Sequence, residues 1–190
     1  MTVSTRERTR RMQIMQEVEG YLDLLLVFGD QYVLNQQVID RLANRALDTL
    51  HQLPIDDIQR RSQALFLKGQ CHRCLEDYQQ AAESFEAATD LEPENVHIWL
   101  ALGWCHKRNQ RLDLAIESLE EALDVDPDEA IIHYNLACYW SLANNVRTAI
   151  QYLAQAFDID PNFRDLVVGE RDFDPIRNTL EFQTLTSVMI

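Results

Sequence analysis

The chain has 190 residues, 46% hydrophobic and 25% charged, with only five Gly and five Pro. Those two residues are too scarce for an all-β protein full of tight turns, so a helical chain with a buriable core is expected. Lys and Arg number 17 against 31 Asp and Glu, a net charge of −14, which repels phosphate backbones and argues against nucleic acid as a partner.

In chain order, Thr5 to about Pro54 reads as two or more helices, roughly Arg6–Phe28 and Asn35–Leu53. The arginine cluster Arg6, Arg8, Arg10 and Arg11 reads as a solvated helix start. The apolar run from Leu22 to Phe28 is broken by Asp23 and too short to cross a bilayer. With no signal-peptide pattern either, the sequence points to a soluble, cytoplasmic chain without membrane contact, its cysteines Cys71, Cys74, Cys105 and Cys138 reduced.

From Ser62 onward the chain repeats itself. Pro93, Pro127 and Pro161 recur at equal spacing, with a period of 34. In the same register Ala81 matches Ala115 and Ala149, Ala88 matches Ala122 and Ala156, and Phe85 matches Leu119 and Leu153. Gly69 and Gly103 match, with Ala137 in the third copy. Each copy reads as two amphipathic helices joined by a polar turn, as in Ile98–Arg108, "RNQRLD" and Asp113–Val125, and the following proline stops the second helix. The small residues sit where paired helices cross, and the large ones fill the space between. No copy can bury its apolar stripe alone, so the copies must stack.

This pattern resembles the tetratricopeptide repeat. The second copy carries it most fully, as Trp99, Leu102, Gly103, His106, Ala115, Leu119, Ala122 and Pro127, with only His106 departing from the expected aromatic. The resemblance implies an all-α α-solenoid, a right-handed superhelix of helix–turn–helix pairs. It divides one globular unit into N-terminal helices at 1–61 (a cap or degenerate repeat), three repeats at 62–95, 96–129 and 130–163, and C-terminal capping helices at 164–190. The stretch "DFDPIRN" resembles the ending of bacterial members of the family, with helix starts expected at Asp174-Pro175 and at Thr179.

"CHRC" at 71–74 raises zinc or redox chemistry. The repeat answers it: Cys71 and Cys105 are equivalent, at a position that normally holds a small buried residue. The motif also lies in mid-helix, away from the N-terminal dipole that activates redox thiols. No phosphate loop, nucleophile elbow or zinc-helix motif occurs. The sequence therefore points to no enzyme, no metal and no cofactor.

What the resemblance implies about function is protein–protein interaction: a scaffold that binds a peptide or partner protein in a concave groove lined by the first helix of each pair. That groove would present Phe66, Gln70 and Arg73, then His97, Leu100, Trp104, Lys107 and Arg108, then Ile131, Tyr134, Asn135 and Cys138. Its apolar strip and basic rim suit a ligand with apolar anchors and a carboxylate. The alternative is a self-associating structural protein, a homodimer in one form, whose groove is filled by its own N-terminal helices or by the tail Thr186–Ile190.

Overall fold

The computed structural model describes residues 5–31, 35–53 and 58–187. The helices are α1 (Thr5–Gln31), α2 (Gln36–Leu50), α3 (Ile58–Cys74), α4 (Tyr78–Thr89), α5 (Val96–Arg108), α6 (Leu112–Val125), α7 (Ala130–Leu142), α8 (Val146–Ile159), α9 (Phe163–Val167) and α10 (Leu180–Ser187), with a 3₁₀ turn at Arg171–Phe173. No strand occurs among the described residues. The fold is an all-α solenoid of antiparallel helix pairs, and its contacts gather into two compact units, Met1–Pro93 and Glu94–Ile190.

In the first unit α1 buries Arg11, Ile14, Val18, Leu22 and Leu25, three and four residues apart on one stripe. That stripe packs on α2 and α3, where Ala43, Ala46 and Leu50 meet Leu67 and Cys71. Arg11 departs from the expected solvated start. Its guanidinium is buried and reaches Glu7 Oε1 at 3.0 Å, while Arg6, Arg8 and Arg10 are exposed. α3 and α4 then form an antiparallel pair. A Cβ on Gly69 would come within 2.5 Å of the Phe85 ring, so the helices cross where only glycine fits.

The second unit repeats this plan. α5 pairs with α6 and α7 with α8. A Cβ on Gly103 would meet the Ala115 carbonyl oxygen at 3.2 Å and Leu119 at 3.3 Å, tight but less so than at Gly69. α7 is buried nearly all round, flanked by α6, by α8 and by the Arg171–Phe173 turn. His133 Nε2 lies 2.7 Å from the Pro127 carbonyl oxygen, and its ring lies against Tyr152.

The turns inside the pairs keep the register of the repeat in their backbone. Glu76, Gln110 and Asn144 all have left-handed φ, at 58°, 61° and 60°. After each one the next amide donates back to a carbonyl five positions earlier: Asp77 to His72, Arg111 to His106, Asn145 to Trp140, each at 2.9 Å. This is the Schellman closure of a helix end, and here it is made without glycine.

The residue that follows caps the next helix. Asp77 accepts from the Gln80 amide and Asn145 from the Thr148 amide, both at 3.2 Å. Arg111 holds the equivalent place before α6 and makes no side-chain cap. Arg111→Asn should therefore raise stability by about 1 kcal/mol. The exposed contact it forfeits, Arg111 to Asp113 at 3.6 Å, carries little weight. Chemical denaturation of the two proteins checks this, and an unchanged or lower midpoint refutes it.

The C-terminus departs from the sequence expectation in one respect. α10 begins directly after Thr179, as expected, with Thr179 Oγ1 accepting from the Phe182 amide at 3.4 Å. No helix starts at Asp174-Pro175; residues 174–178 form turns. Arg177 is the reason. Its Nε donates to Asp174 Oδ1 at 3.1 Å and its Nη atoms donate to the carbonyls of Val167 and Glu170. Asp174 is thereby occupied as an ion partner, and the chain is tied back on itself.

Candidate functional site

The groove residues expected from the sequence fall in both compact units. In the first, Phe66 stacks on Phe85 with centroids 5.5 Å apart, Gln70 is buried and Arg73 is half-buried. The same unit holds a cavity of about 190 Å³ whose walls include Met12, Met15 and Leu53, with Arg11 and Arg60 at its edge.

The second unit gathers most of the set onto α5 and α7. His97 and Arg108 are exposed; Leu100, Trp104, Lys107, Ile131 and Asn135 are half-buried. Arg108 lies over the Trp104 ring, 5.6 Å from its centroid, a cation–π pair one helical turn apart.

Tyr134 and Cys138 are not open groove residues. They are 5% and 1% exposed, because the chain's own segment from Glu170 to Phe173 lies on α7. Asp172 forms a close ion pair with Lys107, and Lys107 also lies over the Tyr139 ring. Phe173 is fully buried, edge-on to Tyr134 at 5.7 Å and 5.5 Å from Phe182. Thr186 and Ser187 belong to α10, which packs on α8, and 188–190 lie outside the described residues.

The sequence pattern picks out neither Asp172 nor Phe173. No periodicity links Asp172 to Lys107, which lies on the far side of two helix pairs in the chain. The signal that is present is an acid next to an aromatic directly after the last repeat.

Electrostatics on this face follow burial first. Burial pushes the Cys138 thiol far up, and the neighbouring Asp172 and Glu170 carboxylates add to it. Burial likewise raises the Tyr134 phenol. Its oxygen is enclosed and has no hydrogen-bond partner. Cys138, Glu170 and Asp172 each bring a ligand-type atom within 4.8 Å of the others.

The "CHRC" cysteines respond to burial in the same direction. Burial raises Cys71 to about 12 and also raises Cys74. Both stay protonated thiols near neutrality, the opposite of an activated dithiol. They pack among Leu67, Leu75 and the residues of α1 and α2.

Comparison with known proteins agrees with the fold. A sequence model of the tetratricopeptide repeat matches residues 75–137. No curated protein matches the sequence. Among solved structures, the chain is similar to MamA at 14% identity, with a TM-score of 0.59 over 87% of this chain and 99% of that one. It is also similar to MamA residues 41 to the end from Desulfovibrio magneticus RS-1, at 17% identity and a TM-score of 0.58 over 85% and 98% of the two chains. A third likeness is to MamA AMB-1, at 18% identity and a TM-score of 0.57 over 83% and 100%. At such identities the likeness speaks for the fold alone. No helix among the described residues is long and apolar enough to cross a membrane. The helix pairs, their common register and the matched segment together identify residues 75–137 as tetratricopeptide repeat within an all-α solenoid, in general class a protein-interaction scaffold.

Proposed function

We propose that the protein binds a short segment of a partner protein on the face made by α5 and α7, without catalysis. One observation carries this reading: that face already holds a short segment, the chain's own Glu170–Phe173 with its 3₁₀ turn, through an acid on Lys107 and an aromatic on Tyr134. A surface that grips its own chain in this way has the chemistry to grip another, with charge giving orientation and the aromatic giving affinity. Beside the covered part, His97, Leu100, Trp104, Arg108 and Ile131 are exposed or half-buried, with Asn135 on the same helix. The double change Trp104→Ala with Arg108→Glu is expected to reduce partner capture at least tenfold while leaving the far-ultraviolet circular dichroism unchanged. Full capture by a folded double variant refutes the assignment.

A second reading has its own support. Because Lys107, Tyr134 and Cys138 are engaged by residues 170–173, this part of the groove is already filled. On that view the scaffold is structural and its association is with copies of itself. Sedimentation of the full chain separates the two: a dimer lost on deleting Thr186–Ile190 favours self-association, and a monomer in both forms excludes it.

A further inference from the structure

The Glu170–Asp172 segment does more at α7 than cover an aromatic. Cys138 Sγ and one carboxylate oxygen each from Glu170 and Asp172 lie within 4.8 Å of one another. They come from two elements distant in the chain, a helix and the 3₁₀ turn with its preceding residue. Two carboxylates face one ammonium here, that of Lys107, so the cluster carries an excess negative charge. Arg177 lies close by, its guanidinium bonded to Asp174 and to the backbone oxygens of Val167 and Glu170.

The second observation is independent of the acids. Tyr134, one turn before Cys138 on the same face of α7, is 5% exposed, and its hydroxyl is enclosed without a partner. An enclosed phenol oxygen left unpaired is costly, so such a group is open to a partner that completes it.

We propose that Cys138, Glu170 and Asp172 form a binding site for one divalent cation of the zinc type, with Tyr134 bonding a water in its fourth position. The donor set suits zinc, which takes thiolate sulfur at about 2.3 Å and carboxylate oxygen at about 2.0–2.2 Å. Ligand atoms at those distances stand roughly 3.5 Å apart, so the trio needs to draw together by about an ångström. The charges then balance. A thiolate and two carboxylates contribute three negative charges, and the metal with Lys107 contributes three positive. The Cys138 proton leaves to solvent as the sulfur–metal bond forms. Asp172 and Lys107 are partly exposed, with 18% and 24% of their side chains open, which gives the ion a route in. Bound there, the cation would fasten the C-terminal segment to α7.

The test uses the full chain, stripped with a chelator and titrated with zinc ion in a calorimeter. One equivalent per chain is expected at micromolar or lower dissociation constant. Cobalt ion in its place should give a thiolate charge-transfer band. Cys138→Ser should remove both signals, and Asp172→Asn should weaken zinc binding at least tenfold. Cys71→Ser with Cys74→Ser should leave both unchanged. Absence of stoichiometric zinc binding overturns the proposal, as does binding that survives Cys138→Ser or vanishes with the Cys71 and Cys74 changes. Should Cys138→Ser fail to fold, Glu170→Gln decides in its place, because zinc affinity equal to that of the parent chain overturns the site.

Discussion

Phe173→Ala is expected to cost the C-terminal unit about 3–5 kcal/mol, the loss usual when a buried aromatic is cut back to a methyl group. Phe173 is fully buried and its ring touches those of Tyr134 and Phe182. It belongs to a core with Ile176, Val167 and Leu153, so the void left behind opens among buried residues. Set against the roughly 5–15 kcal/mol of a typical domain, that is a large share of the whole. The control lies nearby in the chain: Val168 is 82% exposed, and Val168→Ala should stay within about 0.5 kcal/mol. Denaturant unfolding of the three proteins measures both. A Phe173→Ala cost below about 1 kcal/mol would mean that the segment is only loosely seated.

Gly69→Ala is the second large effect. The added carbon would stand 2.5–2.8 Å from three atoms of the Phe85 ring, closer than carbon atoms tolerate. Overpacking of this kind costs about 1–3 kcal/mol. The equivalent change Gly103→Ala faces Leu119 at 3.3 Å and the Ala115 carbonyl oxygen at 3.2 Å. There the helix propensity gained, about 1 kcal/mol, offsets the crowding, and the net change should be small. Phe85→Leu is expected to relieve Gly69→Ala. A double-mutant cycle should find the pair coupled by about 1 kcal/mol or more in the favourable direction. Additive costs would show that the ring moves aside rather than being shrunk to fit.

The helix pairs were legible in the sequence because side-chain volume itself is periodic. Gly69, Phe85 and Ala88, and their equivalents one period on, are the residues that fix helix crossings. The turns were not legible in the same way. A left-handed residue is usually announced by glycine, and here Glu76, Gln110 and Asn144 take its place because backbone bonds to carbonyls five positions earlier hold the geometry whatever the side chain. At the C-terminus, Asp174-Pro175 has the composition of a helix start, but Arg177 binds Asp174 and two carbonyls and holds the chain in turns. The candidate face was legible on α5 and α7 as positions, not as occupancy. That Tyr134 and Cys138 are covered depends on Asp172 finding Lys107 across the intervening helices, a separation at which local pattern carries no information.

The three crossings also constrain how such a chain can change over generations. They hold Gly69 with Phe85, Gly103 with Leu119, and Ala137 with Leu153. A copy of the first kind becomes one of the third kind only by two substitutions, and physics fixes their order. Phenylalanine must give way to leucine first, because alanine opposite the ring collides. The intermediate, glycine opposite leucine, is the combination the second copy carries today. The three copies thus display the start, middle and end of that route, and a lineage that took the steps in reverse would pass through an ancestor destabilised by about 1–3 kcal/mol.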